Sequence, residues 1–219
     1  MVRHDRHVQR LAMCLAGVAG YVDAVGFLET RGFFVSFMSG NTTRFGVGIA
    51  SASRPAVTAA GLLAAFVAGV AAGSLTGHAA GRHRRAAVLL LVAVLLGAAA
   101  SIGPLGYPVA ALAMMALAMG AENAAFEQDG EISIGLTYMT GTLVKLGQRL
   151  ALALRGGDPF DWTSYLMLWL GLLTGAVLGA TAHRSFGLPA VWAASLAAAI
   201  LAAVAVRLER RTDAPAPPR

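Results

Sequence analysis

The sequence predicts an all-α membrane protein with six transmembrane helices and two short re-entrant or broken helical segments, arranged as two inverted repeats of three spans each. Three observations support this prediction. Apolar residues make up 57% of the 219 residues, charged residues only 13%, and the mean hydropathy is +0.67, which is typical of a membrane protein. Six apolar stretches are long enough to cross a bilayer, and several short motifs occur twice in the same order.

The six apolar stretches each match the length that a bilayer demands. A hydrocarbon core about 30 Å thick takes roughly 20 helical residues at 1.5 Å of rise each. Proline stands beside the start of several of them, where its missing N–H leaves no helical bond unmade. The predicted spans are residues 11–28, 56–80, 86–103, 106–126, 162–182 and 189–206.

Two further segments, residues 33–50 and 132–153, are too polar to face lipid along their whole length. The polar positions of the first segment are Ser39, Gly40, Asn41, Thr42 and Arg44, and those of the second are Thr140, Gly141, Thr142 and Lys145. Either both segments span the membrane, which gives eight crossings, or both dip in and return, which gives six.

Loop charges distinguish the two topologies, because Lys and Arg accumulate in cytoplasmic loops. With six spans and a cytoplasmic N-terminus, only four of the 17 Lys and Arg residues lie outside, namely Arg31, Arg44, Arg54 and Arg184. Eight spans would export the dense basic loop at residues 82–85. We therefore predict six spans in one membrane domain, residues 1–211, with both termini cytoplasmic and a disordered proline-rich tail at 212–219.

The chain repeats itself at a nearly constant spacing. Residues 36–42 (SFMSGNT) recur 101 positions later as residues 137–142 (TYMTGT), and residues 20–24 (GYVDA) recur 100 positions later as 120–124 (GAENA). Glycines at every fourth position also recur 102 positions later, namely Gly69, Gly73 and Gly77 as Gly171, Gly175 and Gly179. We infer an internal duplication, with repeats at about 11–103 and 106–206.

An odd number of spans in each repeat has a topological consequence. A three-span unit repeated in tandem points the opposite way the second time, and this inverted arrangement is common in secondary transporters. The eight-span alternative would give two parallel repeats instead.

These motifs resemble those of the bacterial YoaK-like family. The residues that carry the resemblance are GYVDA at 20–24, MSGNT at 38–42 and YMTGT at 138–142, and the resemblance covers nearly the whole chain. It implies a multi-pass protein of the bacterial inner membrane. Because this is a family of unknown function, it implies no substrate or catalytic residues. Thr142 stands where the first repeat has Asn41 followed by Thr42, so the two motifs are not equivalent.

Two carboxyl residues, Asp23 and Glu122, fall inside predicted spans. An ionised side chain costs about 2.5–3.5 kcal/mol at the centre of a membrane helix on insertion scales, so such residues usually have partners or a function. They indicate either a proton or cation relay or a structural pair. We predict that Asp23 contacts Arg44 and that Glu122 contacts Lys145. Asn123, rather than Glu122, aligns with Asp23 and is the alternative member of the second pair.

The Ser/Thr-Gly motifs predict helix starts inside the protein. A hydroxyl can cap a helix, glycine permits the turn before it, and the resulting N-terminus favours an anion. Basic side chains one turn later, Arg44 and Lys145, strengthen that preference. The alternative is a packing elbow whose hydroxyls satisfy only their own backbone.

The sequence thus favours a small-solute secondary transporter, selective for anions, with its site between the inverted repeats. The alternative is a non-transporting membrane scaffold or regulatory module, which the glycine-stepped helices suggest because they also suit homo-oligomer contacts. The sequence contains no nucleotide loop, partnered nucleophile or metal-spaced cluster, so we expect no enzyme activity, cofactor or metal. The basic charge lies in loops, and we expect the bilayer and a small solute as partners, not nucleic acid.

Overall fold

The computed structural model describes residues 6–128, 131–132 and 138–212, with side chains for residues 9–127 and 138–209. Eight α-helices form this part of the chain: α1 (Arg6–Glu29), α2 (Met38–Ala50), α3 (Pro55–Ala80), α4 (Arg84–Ile102), α5 (Pro108–Asn123), α6 (Met139–Leu154), α7 (Thr163–Phe186) and α8 (Val191–Thr212). Three 3-10 turns occupy Gly81–His83, Ala124–Phe126 and Leu188–Ala190, and two-residue strands β1 (Glu127–Gln128) and β2 (Glu131–Ile132) pair antiparallel. The predicted all-α class is confirmed.

Five stretches of the described chain are long and apolar enough to cross a membrane. One of them, Pro55–Ile102, has 48 residues, which as one straight helix would measure about 72 Å, more than twice the hydrocarbon thickness. It is in fact two helices, because Gly81 (φ 54°) ends α3 and the chain turns back into α4. The two helices pack on each other. The count of six spans stays a prediction.

The long helices begin and end where their sequence allows. Pro55 and Pro108 stand at the first positions of α3 and α5, as the sequence predicts for a residue without an N–H. Gly81 and Gly187 follow the ends of α3 and α7 with positive φ values of 54° and 62°, a conformation that side chains with a β-carbon avoid.

Two pairs of parallel helices form the centre of the bundle, and each pair combines one helix of the first half of the chain with one helix of the second half. A β-carbon at Gly175 would clash with the carbonyl oxygen of Gly17, and one at Gly179 with that of Tyr21, so α1 and α7 run side by side in the same direction. The second pair, α3 and α5, packs in the same way, through Gly69 on Leu117, Gly73 on Ala121 and Gly120 on Phe66. The predicted glycine ladders are therefore helix-packing surfaces.

A third pair, α4 and α8, runs antiparallel. At one end Gly103 lies against Leu188, in the middle the Ser195 hydroxyl donates to the Ala93 carbonyl at 2.7 Å, and at the other end His83 meets Glu209 at 3.3 Å. These two helices occupy the last position of each predicted repeat. Sister helices of inverted units must be antiparallel, whereas an eight-span tandem repeat would make them parallel. The packing thus favours inversion, which remains a prediction.

The two polar segments each fold as an extended stretch followed by a short helix. With 13 and 16 residues, α2 and α6 measure about 20 and 24 Å, less than a hydrocarbon core. Neither is among the stretches fit to cross a membrane. They lie at the edge of the bundle, where α2 packs on α3 and α6 on α7.

Candidate functional site

Asp23 binds the backbone of the extended segment that joins α1 to α2. Its Oδ1 atom accepts hydrogen bonds from the N–H groups of Val35 at 2.9 Å and Ser36 at 2.8 Å. Both residues are buried, so their N–H groups have neither water nor a helical carbonyl to bind. Unpaired backbone groups are costly in such a place. The carboxylate therefore makes the buried, non-helical segment possible.

Asn41, in α2, also binds the backbone of this segment. It is fully buried, its Oδ1 accepts from the Phe34 N–H at 3.0 Å, and its Nδ2 donates to the Phe34 carbonyl at 2.6 Å. The amide thus pairs with one residue as a neighbouring β-strand would. Together Asp23 and Asn41 satisfy three consecutive N–H groups, so this part of the first motif fixes the fold of the segment between α1 and α2.

The predicted contact between Asp23 and Arg44 is wrong. Arg44 is exposed, and its guanidinium lies 5.0 Å from the centre of the Phe33 ring, a cation–π arrangement. The reason is chemical: the backbone N–H groups of Val35 and Ser36 already stabilise the carboxylate, so it needs no cation.

This geometry predicts the outcome of a double-mutant cycle. We expect the effects of Asp23→Asn and Arg44→Gln on thermal stability in detergent to add, because the two side chains share no partner. A coupling free energy above about 0.5 kcal/mol would show that they interact in solution, against the geometry described.

The hydroxyls of the first motif do not cap α2. Thr42 Oγ1 donates to the Met38 carbonyl at 2.9 Å, one turn earlier in its own helix, and no side chain caps the N-terminus at Phe37. Ser39 is exposed. Gly40 has a different role, since a β-carbon there would press on the rings of Phe34 and Phe37. The prediction of a hydroxyl cap is wrong, and the packing-elbow alternative describes this segment.

The second motif follows the same pattern with less burial. Thr140 and Gly141 are exposed, while Thr142 is buried and its Oγ1 donates to the Tyr138 carbonyl at 3.3 Å. Lys145 is exposed on α6. The predicted approach to this helix, residues 133–137, lies outside the described residues.

Glu122 lies in the interior without a partner. Its side chain has no exposed surface, and neither carboxyl oxygen has a hydrogen-bond partner among the described residues. The predicted contact with Lys145 is wrong, because that side chain is exposed at the edge of the bundle. Asn123 is buried next to it and donates to the Met119 carbonyl at 2.9 Å.

A polar cluster that the sequence analysis missed closes the end of the bundle next to Glu122. Glu127 accepts a hydrogen bond from the Ser74 hydroxyl and pairs with Arg84, whose Nη2 lies 2.6 Å from Oε2. Arg84 Nε also donates to the Ala124 carbonyl at 3.1 Å. The available signal is an acid directly after the predicted span at 106–126, on the same side as the basic loop at 82–85, but the sequence alone does not indicate that the two are in contact.

Comparison with known proteins places the chain in a family. A family model described as a protein of unknown function, DUF1275, matches residues 11–206. The chain belongs to the DUF1275 family. A UPF0700 transmembrane protein from Rhizobium meliloti (strain 1021) is 39% identical over 202 residues, which cover 92% of this chain and 87% of the relative. No solved structure matches. The predicted resemblance is confirmed, since YoaK-like proteins fall within DUF1275.

In this DUF1275 protein the Glu127 cluster should make stability depend on pH. The Ser74 hydrogen bond, followed by the Arg84 guanidinium, lowers the pKa of Glu127. A carboxyl whose pKa is lower in the folded than in the unfolded state stabilises the fold above its unfolded pKa, and this contribution disappears as pH falls. We expect Glu127→Gln to destabilise the protein near neutral pH and to have less effect in acid, as measured by thermal unfolding in detergent.

The control for this experiment is Asp161→Asn. Asp161 pairs with Arg149 at 2.7 Å on the exposed surface, where an ion pair contributes roughly 0–1 kcal/mol. A difference between wild type and Glu127→Gln that stays constant from neutral to acidic pH would contradict the prediction.

Proposed function

We propose that this DUF1275 protein is a secondary transporter of a small solute, with its site between two inverted three-span units. Its membrane nature is supported by the transmembrane relative and by the apolar helices. The observation that supports transport is the exchange of partners between the halves: α1 packs on α7, α3 packs on α5, and α4 meets α8 antiparallel. Secondary transporters that work by alternating access are commonly built from inverted repeats that pack against each other.

The register in which α1 packs on α7 differs by one helical turn from the register in which α3 packs on α5. By the repeat spacings, Gly73 corresponds to Gly175 and Ala121 to Tyr21. Gly73 lies on Ala121, but Gly175 lies on Gly17, four residues before Tyr21. Four residues are about one turn, or roughly 5–6 Å along the helix axis. The two equivalent interfaces, α3 with α5 and α1 with α7, thus have registers that differ by one turn. If each interface shifted to the register of the other, the carrier would open to the opposite side of the membrane.

The solute class that we propose is anionic. Arg44 and Lys145 are exposed six residues after the first residues of α2 and α6, and neither forms an ion pair with an acid in the described part of the chain. A cation near a helix N-terminus favours a carboxylate or phosphate group. The threonine hydroxyls contribute less than the sequence suggests, because Thr42 and Thr142 bind their own helices.

Flux through proteoliposomes tests this function. We expect saturable uptake of a solute from a panel of small carboxylates and phosphates, with neutral and cationic solutes excluded. Arg44→Gln and Lys145→Gln should raise the KM for that solute without unfolding the protein, and protein-free liposomes give the background. Uptake of cationic solutes alone would refute the proposal that the transported solute is an anion.

A second candidate function is a membrane scaffold, and one surface favours it. An apolar groove of about 620 Å³ lies between α1, α7 and α8. The outer face of α7 also exposes Leu173, Val177 and Leu178. A partner helix could fill such a groove. No flux of any solute, together with a stable partner retained on purification, would favour the scaffold over the carrier.

The carrier proposal includes an orientation: residence in the bacterial inner membrane with both termini cytoplasmic. It follows from the basic residues at 82–85 and at both ends of the chain. Single cysteines can be placed at Ser53, Arg84 and Arg211 after replacement of the native Cys14. We expect an impermeant reagent added outside to label position 53 alone. Labelling of position 84 from outside would eliminate the six-span topology.

A further inference from the structure

Glu122 is a buried acid that no contact in the described residues requires. It has no exposed surface, and both its oxygens are without a hydrogen-bond partner in the described residues. In the first repeat, 100 positions earlier, the corresponding residue is Val22, which is also fully buried. The repeated architecture therefore accepts an apolar side chain here. Because the packing does not require an acid at this position, we infer that the carboxyl of Glu122 has a function.

The groups that surround α5 do not neutralise Glu122. This helix packs against α1, α3, α4 and the turn at Ala124–Phe126. Inside the bundle, Asp23 is bound by backbone N–H groups, Tyr21 donates to the Ala190 carbonyl, and Arg84 pairs with Glu127. The remaining titratable side chains on these elements are exposed or directed elsewhere: Arg10, Cys14, Glu29 (paired with His183), His78 (near Glu127), and Arg85 (over the Phe126 ring).

A proton fits this environment better than any other cation. An ionised carboxylate without a partner is very costly in an apolar interior, and a protonated one is far less so. Metal cations such as Ca²⁺ or Mg²⁺ need about six oxygen ligands. The described residues contain no cluster of three acidic, His or Cys side chains, and the neighbouring Asn123 amide donates to Met119.

We propose that Glu122 is a proton-binding site and carries the proton that drives the transport cycle. In the conformation described, the carboxyl holds the proton as an O–H group. When the two units exchange registers and water reaches Glu122, the O–H bond breaks, the proton passes to that water, and the carboxylate remains until it is protonated again. The coupling role rests on the proposed transport function, whereas proton binding itself does not.

The position of Glu122 is consistent with gated access. It lies two residues before Ala124, whose carbonyl binds Arg84, and Arg84 and Glu127 are both partly exposed. We therefore place the entry of water to Glu122 at this end, next to their ion pair. The apolar core residues Met115 and Met119 lie on the same helix in the opposite direction.

Infrared difference spectroscopy tests proton binding without any solute. Purified protein in detergent, titrated with acid and base, should show the C=O stretch of a buried protonated carboxyl that disappears as pH rises. Glu122→Gln should lack this band, and Asp161→Asn, which removes an acid from an exposed ion pair, should retain it. If Glu122→Gln does not fold, Glu122→Val restores the residue type of the first repeat and serves instead. A band that persists in the Glu122 variants would overturn the proposal.

Proteoliposomes test the coupling. For a solute that the wild type transports, an imposed pH gradient should drive accumulation, and Glu122→Gln should lose this accumulation while it still exchanges solute across the membrane. Wild-type uptake that responds to a sodium gradient but not to pH would overturn the coupling and leave the carrier intact. A wild-type Glu122 band together with no flux of any solute would support the proton site and refute the carrier.

Discussion

Replacing Gly69 with alanine should destabilise the protein, whereas the same change at Gly61 on the same helix should not. A β-carbon at Gly69 would clash with the Leu117 carbonyl oxygen, so α3 and α5 would have to separate. Such overpacking typically costs about 1–3 kcal/mol, and sometimes more. At Gly61 the space within 4 Å is empty, and alanine should add about 0.5–1 kcal/mol of helix propensity. Thermal unfolding in detergent compares the two variants.

The opposite signs make this test decisive. Both substitutions add one methyl group to α3, so a general effect of composition would move the two melting temperatures in the same direction. Gly175→Ala repeats the experiment at the second interface, where a β-carbon would clash with the Gly17 carbonyl oxygen. Equal stability of Gly69→Ala and Gly61→Ala would mean that α3 and α5 do not pack as described.

Asp23→Ala should be among the most damaging substitutions outside the glycine ladders. It removes the acceptor of two buried N–H groups, those of Val35 and Ser36, and each stranded donor costs about 1–3 kcal/mol. Asp23→Asn keeps the Oδ1 acceptor and should cost much less. The free energy of unfolding of the three proteins, measured in the same detergent, gives the comparison.

Limited proteolysis adds a local measurement. If the segment after α1 loosens in Asp23→Ala, trypsin should cleave faster at the exposed Arg31. Thr42→Ala is the matched control, since its hydroxyl binds only its own helix and its loss should stay within about 0.5 kcal/mol. Equal stability of Asp23→Ala and Asp23→Asn would show that the charge, and not the acceptor geometry, matters at this position.

The helices could be predicted because apolar length and proline or glycine punctuation act locally. The predicted span at 162–182 appears as Thr163–Phe186, and the one at 106–126 as Pro108–Asn123 with a 3-10 turn. The glycine ladders were also readable, since a period of four places them on one helix face. Both features depend on residues that are close in sequence, which is why the pattern was sufficient.

The ion pairs could not be predicted for the opposite reason. The partners of Asp23 are backbone N–H groups, which every residue except proline carries and which leave no mark in the sequence. A charge in a span usually has a charged partner, so that rule selected Arg44 and Lys145, but both are exposed. Glu122 departs from the rule altogether, and only the packing around it reveals this.

The parallel pairing of α1 with α7 has a consequence for synthesis of the protein. Helix α1 leaves the ribosome long before its partners are made, since Tyr21 and the Ala190 carbonyl that it binds are 169 positions apart. At translation rates of about 5–20 residues per second, the small-residue face of α1 waits roughly 10–30 s before its partner exists. During that time lipid, an insertion factor or a neighbouring nascent chain must cover Gly17 and Gly20, so this interface forms only after α7 has been synthesised.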